Sequence, residues 1–469
     1  MRPELREYKF DWMLWSAFAA ASKLKNGTDK EYRHMMKYIP YFSGTVGALL
    51  DAGETGPLFL ECVAKYYENF ITAREKGKHT AVTTFCFSPS ILYAMEIFPI
   101  CFEVVSVCQT FAYKRGSAEF LDYCNEVGFT ETSCSSQRGT LGAYLAGVGV
   151  DVDMIVTDTP GVCDTNANAF AFAAAYLKKP FFQLDMPPVL VDRRSDEYHN
   201  SDFKALIAFL EKNTGRKLDH DRLREVIKEI ERQEELVGEL EDLARIVPSP
   251  MPVVFNLMVY ASRFLFSGMK ECTVVLESMV RVVKDNAAKG ISGLASGTEK
   301  LRVFFCYIDH YTNSLRLWKF LDDNGIGYQG NILSRSWART MPHVKEYHTE
   351  EAGYSIDTAD LDSMIRTMAD LNSRMPMIKS IRGPYDAPDM WLQDTLSLAT
   401  LYKSDCIVYN GTPGCRNTWG MVKLLARDTE KAGIPTFIMY GDAFDDRVES
   451  WEASQDRFEE FLRVRRLLQ

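Results

Sequence analysis

Short apolar runs alternate with helix-periodic segments in two separate stretches of this chain, and that alternation restricts the fold more than any other feature. In the first stretch the β-type runs are Thr80–Phe87 (Thr-Ala-Val-Thr-Thr-Phe-Cys-Phe), Val152–Asp158 and Pro180–Asp185. Pro89 opens a helix expected over Ser90–Phe98, since proline suits a helix's first turn. Further helical patterns fall at Ala118–Val127 and Asn166–Leu177. In the second stretch the runs are Leu301–Asp309, Asp405–Asn410 and Pro435–Tyr440, with a helix expected over Trp419–Lys431. Strands separated by helices at this spacing form βαβ units and a parallel sheet. The expected class is α/β, with two Rossmann- or flavodoxin-like parallel-sheet domains plus helical N-terminal and connecting segments.

At 469 residues the chain is too long for one small core. Residues 1–75 read as a helical N-terminal segment and 76–200 as the first α/β domain. Residues 201–297 read as a helical connector, and 298–469 as the second α/β domain. Within the connector, Asp202 to about Arg245 is charged and helix-periodic, with an interruption near Gly215. Asp219 is placed to cap its second half, ahead of Leu223, Val226, Ile227 and Ile230. Pro248, Pro250 and Pro252 end the helical pattern. Ala287–Gly297, rich in Ala, Gly and Ser, marks the boundary before the second domain.

The net charge of -10 argues against a nucleic-acid binder, which needs a basic stripe. The cluster at Arg463-Val-Arg-Arg reads as the solvated face of a terminal helix. The apolar run Trp12–Ala21 follows Glu4, Glu7 and Asp11, unlike a secretory signal with its positive n-region. No apolar stretch reaches bilayer-spanning length, so the protein is expected to be soluble and cytoplasmic. There is no Gly-x-x-x-x-Gly-Lys-Ser/Thr for nucleotide phosphates. There is no His-Glu-x-x-His or close Cys-x-x-Cys, and His343 and His348 have the wrong spacing for one helix face. Gly139, Gly142, Gly147 and Gly149 suit close helix packing better than ligand binding.

Eleven cysteines, an odd and irregularly spaced set, do not form a disulfide framework. Cys86, Cys101 and Cys108 sit among Phe, Ile and Val and read as small buried hydrophobes. Cys134, Cys163 and Cys415 differ. Cys163 follows one strand by the loop Thr159-Pro160-Gly161-Val162, and Cys415 follows another by Gly411-Thr412-Pro413-Gly414. Loops beyond the carboxyl ends of parallel strands form the ligand crevice of an open sheet. All three cysteines precede a helix, whose N-terminal dipole favours an anion. Three converging thiolates can hold an iron–sulfur cube and leave its fourth iron open. Spacing alone leaves two readings, a shared metal site or ordinary loop thiols.

Further motifs carry a family resemblance. Pro89-Ser-Ile-Leu-Tyr-Ala-Met-Glu-Ile-Phe-Pro99, Cys134-Ser-Ser-Gln-Arg-Gly, Cys163-Asp and Thr214-Gly-Arg-Lys-Leu are followed by Ser404-Asp-Cys-Ile-Val-Tyr-Asn, Gly414-Cys-Arg and Gly433-Ile-Pro. Gly441-Asp-Ala-Phe-Asp-Asp-Arg447 and Ser454-Gln-Asp-Arg-Phe-Glu-Glu-Phe461 complete the series. In this order the chain, from about residue 80 to its end, resembles the catalytic subunits (D-components) of the 2-hydroxyacyl-CoA dehydratases. That family includes the subunits of ATP-dependent benzoyl-CoA reductase.

The resemblance implies that Cys134, Cys163 and Cys415 bind a 4Fe-4S cluster, one in each of two paralogous subunits of a heterodimer. It implies a separate ATP-hydrolysing iron–sulfur activator that injects one electron at low potential. The electron passes to the thioester carbonyl of an (R)-2-hydroxyacyl-CoA and gives a ketyl radical anion. The α-hydroxyl can then leave, and an otherwise non-acidic β-hydrogen becomes acidic. The reaction is a lyase reaction of anaerobic metabolism; in the reductase branch it is an oxidoreductase reaction that reduces an aromatic ring. A non-substrate-binding electron-transfer or scaffold subunit is a further alternative. The chain departs from the family pattern at Ile91, where the motif has Glu, so no acid/base residue is assigned; Glu96 and Glu103 lie nearby. Arg138 and Arg416 lie close to the expected ligands and are placed either to offset negative charge or to form ordinary ion pairs.

Overall fold

The computed structural model describes residues 12–23, 43–85, 87–112, 116–159, 163–185, 193–332, 356–373, 390–415 and 419–468. The apolar runs of the first stretch become β1 (His79–Thr83), β3 (Met154–Thr159) and β4 (Phe181–Asp185), joined by β2 (Ile97–Cys101). Those of the second become β5 (Leu301–Cys306), β7 (Cys406–Gly411) and β8 (Thr436–Tyr440), joined by β6 (Ile326–Asn331). The protein is therefore α/β, with two four-stranded sheets in the orders β2-β1-β3-β4 and β6-β5-β7-β8. Every strand pair is parallel. Both sheets thus reverse their direction of winding next to their first strand, between β1 and β3 and between β5 and β7. Such a reversal opens a crevice at the carboxyl ends of the strands.

Two strands escape the apolar-run criterion, and both are edges. The helix expected over Ser90–Phe98 ends at Ala94, and β2 starts at Ile97. Pro99 lies within β2, where an edge strand tolerates its missing N–H. β6 reads Ile-Gly-Tyr-Gln-Gly-Asn and carries too little apolar character to stand out. The expected strands also stop short. β1 ends at Thr83 and β5 at Cys306, so Thr84, Phe85 and Tyr307–Tyr311 lie beyond the carboxyl ends.

The interruption expected near Gly215 is present. Helices Arg193–Thr214 and His220–Ala244 flank it, and the Asp219 carboxylate accepts hydrogen bonds from the N–H groups of Asp221 and Arg222. Leu223, Ile227 and Ile230 are buried, and Val226 packs against the core. Arg302, in β5, is also buried: its guanidinium pairs with Glu299 at 2.6 Å and donates to the carbonyls of Tyr402, Ala244 and Ile246. One apolar core runs from the N-terminal helices across the first sheet to Phe304, Ile407 and Tyr409 of the second. Burial on both sheet faces is what all-parallel sheets require. Among the described residues no helix is long and apolar enough to cross a membrane.

Candidate functional site

Cys134 and Cys163 are the N-cap residues of helices Ser135–Ala146 and Asp164–Leu177. The first of these helices is fixed by close packing. A Cβ at Gly142 would lie 2.1 Å from the carbonyl oxygen of Phe120, so only glycine lets the two backbones touch there. Cys415 closes a tight turn after β7: its N–H donates to the Thr412 carbonyl, and its own carbonyl accepts from the N–H of Trp419. All three cysteines are half-buried, whereas the other seven described cysteines are buried; none of the ten is in a disulfide. Cys101 and Cys108 are among the buried ones, and Cys86 lies outside the described residues.

The two halves bring the loops of Cys134 and Cys415 into contact, Gly414 lying against Ser133 and Cys134. The Tyr307 hydroxyl, just past β5, donates a hydrogen bond to Cys415 Sγ at 3.0 Å. Burial raises the pKa of this phenol well above its ordinary value, and Cys415, Cys134 and Cys163 all add to the rise. The Cys134 thiol is pushed up to about 12, first by burial and then by Cys415, against the N–H groups of Gln137 and Ser136. Tyr307 itself has φ +75°, a left-handed backbone that bulky residues rarely adopt.

Contacts between the sheets hold this meeting point closed. The Ser135 hydroxyl donates to Asp442, a buried carboxylate that also accepts from the N–H groups of Phe444 and Asp445. Burial raises the Asp442 pKa, and the Ser135 hydrogen bond opposes that rise. Arg447 reaches Asp122 across the same seam at 2.7 Å while pairing with Asp445. The Gly441–Arg447 segment singled out in the sequence thus supplies one strip of the second half that touches the first.

A buried polar network lies behind the two cysteine-capped helices. Glu103, one residue beyond the Phe102 that follows β2, accepts from Thr84 Oγ1 at 2.8 Å, Gln137 Nε2 at 3.0 Å, Cys101 Sγ at 3.2 Å and the Phe85 N–H at 3.3 Å. Gln137 also donates to Asn166, and Asn166 to Thr84. Burial raises the Glu103 pKa, and its hydrogen bonds pull it back. Glu96 has a different setting. It is ion-paired with Lys78, Arg216 and Arg222 ahead of β2, and these hold its carboxyl down to about 2, the Lys78 hydrogen bond most of all.

Beyond β5, Asp309 accepts from Tyr328 Oη at 3.0 Å and Asn410 Nδ2 at 3.1 Å. Burial pushes the Asp309 carboxyl up to about 6. His310 is buried, and its Nε2–H donates to the Gly411 carbonyl at 3.0 Å. Burial holds the imidazole down to about 4, opposed by that hydrogen bond. Arg138 is buried and donates to the Ser133 carbonyl and to Asn125 rather than forming an ion pair within the described residues. Arg416, His343, His348 and Pro160–Val162 lie outside the described residues.

Among the described residues no three His, Cys, Asp or Glu side chains are gathered tightly enough to chelate a single metal ion. Single-ion ligation draws every donor to one point, whereas a cube meets its thiolates at separate corner irons. Cys415 Sγ accepts from the Tyr307 hydroxyl, and Cys134 and Cys163 stand at helix starts. The sequence alone points to these cysteines through their loops. It does not point to Tyr307, Asp309, His310 or Asn410, although the polar Asp309-His310 pair ending an apolar run is a usable signal for the end of a strand.

A search of curated proteins returns no match for this chain. The family model described as 2-hydroxyglutaryl-CoA dehydratase, D-component, matches residues 84–464, from the carboxyl end of β1 through the last helix, and the chain belongs to that family.

Proposed function

We propose that this protein is the iron–sulfur subunit of a radical (R)-2-hydroxyacyl-CoA dehydratase, with Cys134, Cys163 and Cys415 as the ligands of one 4Fe-4S cluster. The observation that carries the reading is that the loop of Cys415 rests on the loop of Cys134, with a Cβ at Gly414 falling 3.4 Å from Cys134 Cα, while the Tyr307 hydroxyl donates to Cys415 Sγ. Family membership supplies the dehydratase context. When bound, the cluster would supply one electron at low potential and an open iron for a substrate oxygen.

The chain's own residues have separable parts in this reading. The helix starts at Cys134 and Cys163 direct N–H dipoles at the site and favour negative charge there. Arg138, buried with no carboxylate in ion-pair reach among the described residues, adds a positive charge beside Cys134. Glu103, Gln137 and Asn166 hold the two helix starts against the carboxyl ends of β1 and β2. Tyr307 is buried, which keeps water from its hydrogen bond to Cys415.

The partners in this reading are a paralogous second subunit and an ATP-hydrolysing activator. The test is an anaerobic turnover assay with both partners, ATP and a reductant, on a 2-hydroxyacyl-CoA and on benzoyl-CoA. Formation of the enoyl-CoA supports the dehydratase. Ring reduction without dehydration moves the chain to the reductase branch. Full activity with all three cysteines replaced makes it a scaffold subunit.

A further inference from the structure

We propose that Tyr307 sets the reduction potential of this site, its phenol O–H withdrawing charge from the Cys415 thiolate. The inference rests on Cys415 being a cluster ligand. The hydroxyl lies 3.0 Å from Cys415 Sγ, a short approach for an O–H donor to sulfur. Hydrogen bonds to ligand sulfurs are a main control of cluster potential, and the surroundings of a metal ligand tune the metal through it. A donor on the thiolate favours the reduced, more negative cluster, so it raises the potential.

The backbone argues that the side chain matters. Tyr307 holds φ +75°, where glycine would sit without strain. Residues held in such conformations persist only where their surroundings impose them, and they gather at functional sites. Here the surroundings are visible. Asn331 Nδ2 donates to the Tyr307 carbonyl, and Asn331 also meets Tyr328 Oη, which is anchored on Asp309. Asn410, two residues before the Cys415 turn begins to close at Thr412, anchors Asp309 from the other side. The ends of β5, β6 and β7 thus form one braced loop system that presents the phenol to the sulfur. The phenol is buried, so the hydrogen bond is shielded from competing water.

The test uses the reconstituted protein under anaerobic conditions. Tyr307→Phe is expected to keep the wild-type iron content. Its potential should shift to more negative values, and one solvent-exchangeable proton coupling should disappear from the ENDOR spectrum of the reduced cluster. Replacing Tyr307 with 3-fluorotyrosine, a stronger donor, should shift the potential the opposite way. A potential and spectrum unchanged in both variants would overturn the proposal. So would loss of iron in Tyr307→Phe from an otherwise loaded protein, which would make the residue a structural support. Wild-type protein that takes up no iron overturns the cluster reading itself.

Discussion

The Cα of Gly414 lies against the backbone of Ser133, so that a Cβ at 414 would sit 2.9 Å from the Ser133 carbonyl oxygen and 3.4 Å from Cys134 Cα. The loop that carries Cys415 therefore rests on the loop that carries Cys134, backbone on backbone. Gly414→Ala must push these loops apart. The expected cost is about 1–3 kcal/mol of stability, as for other overpacked sites. The larger expected effect is a drop in bound iron. Thermal unfolding of the iron-free protein, together with iron analysis after reconstitution, separates the two.

His310 gives the second half a defined pH response. Its imidazole is held down to about 4 by burial, whereas an exposed histidine titrates near 6.5. Above about pH 6.5 both folded and unfolded chains hold it neutral, and its contribution to stability is fully present. Between about 6.5 and 4 the unfolded chain takes up the proton and the folded chain does not. Stability is therefore lost as pH falls through that window, by up to about 3 kcal/mol. Denaturant midpoints measured from pH 7 to 4.5 should fall less steeply in His310→Gln than in the parent.

The parts of this protein legible in sequence are those whose physics is local. β5 and β7 read as buried runs because every residue in them is buried. Asp219 reads as a cap because its carboxylate needs only the N–H groups two and three residues ahead. β2 and β6 are less legible because edge strands admit Pro99 and a Gly- and Asn-containing run that would be costly in the middle of a sheet. At the site, the cysteines stand out through their loops. Tyr307 reads as one more apolar residue of β5, since only the left-handed turn at its own position makes it a partner of Cys415. Glu103 and Gln137 meet across 34 positions of sequence, a pairing that exists only once the helices are packed.

Gln137 is expected to be costly to replace. Its side-chain amide donates to Glu103 and to Asn166 inside the protein. Gln137→Met keeps the volume and leaves both acceptors short of a donor. A loss of about 1–3 kcal/mol is expected, the usual range for a buried polar group left unsatisfied. Urea denaturation of the iron-free protein measures it.

Glu96 should behave as a surface support remote from the chemistry. It joins Lys78, Arg216 and Arg222 ahead of β2 and tethers the turn after Gly215 to the first sheet. Glu96→Gln is expected to cost about 1 kcal/mol, less at high salt, because partly exposed ion pairs are screened. Iron content should stay at the parent value, in contrast to Gly414→Ala.

Iron counting on single cysteine variants tests the central claim most directly. Anaerobically reconstituted protein should carry about four irons per chain. Cys134→Ala, Cys163→Ala and Cys415→Ala should each lose most of it, while Cys108→Ala, at a buried thiol paired with the Tyr67 hydroxyl, should keep it. Undiminished iron in any one of the three would contradict a cluster held by that cysteine, and undiminished iron in all three would contradict the site.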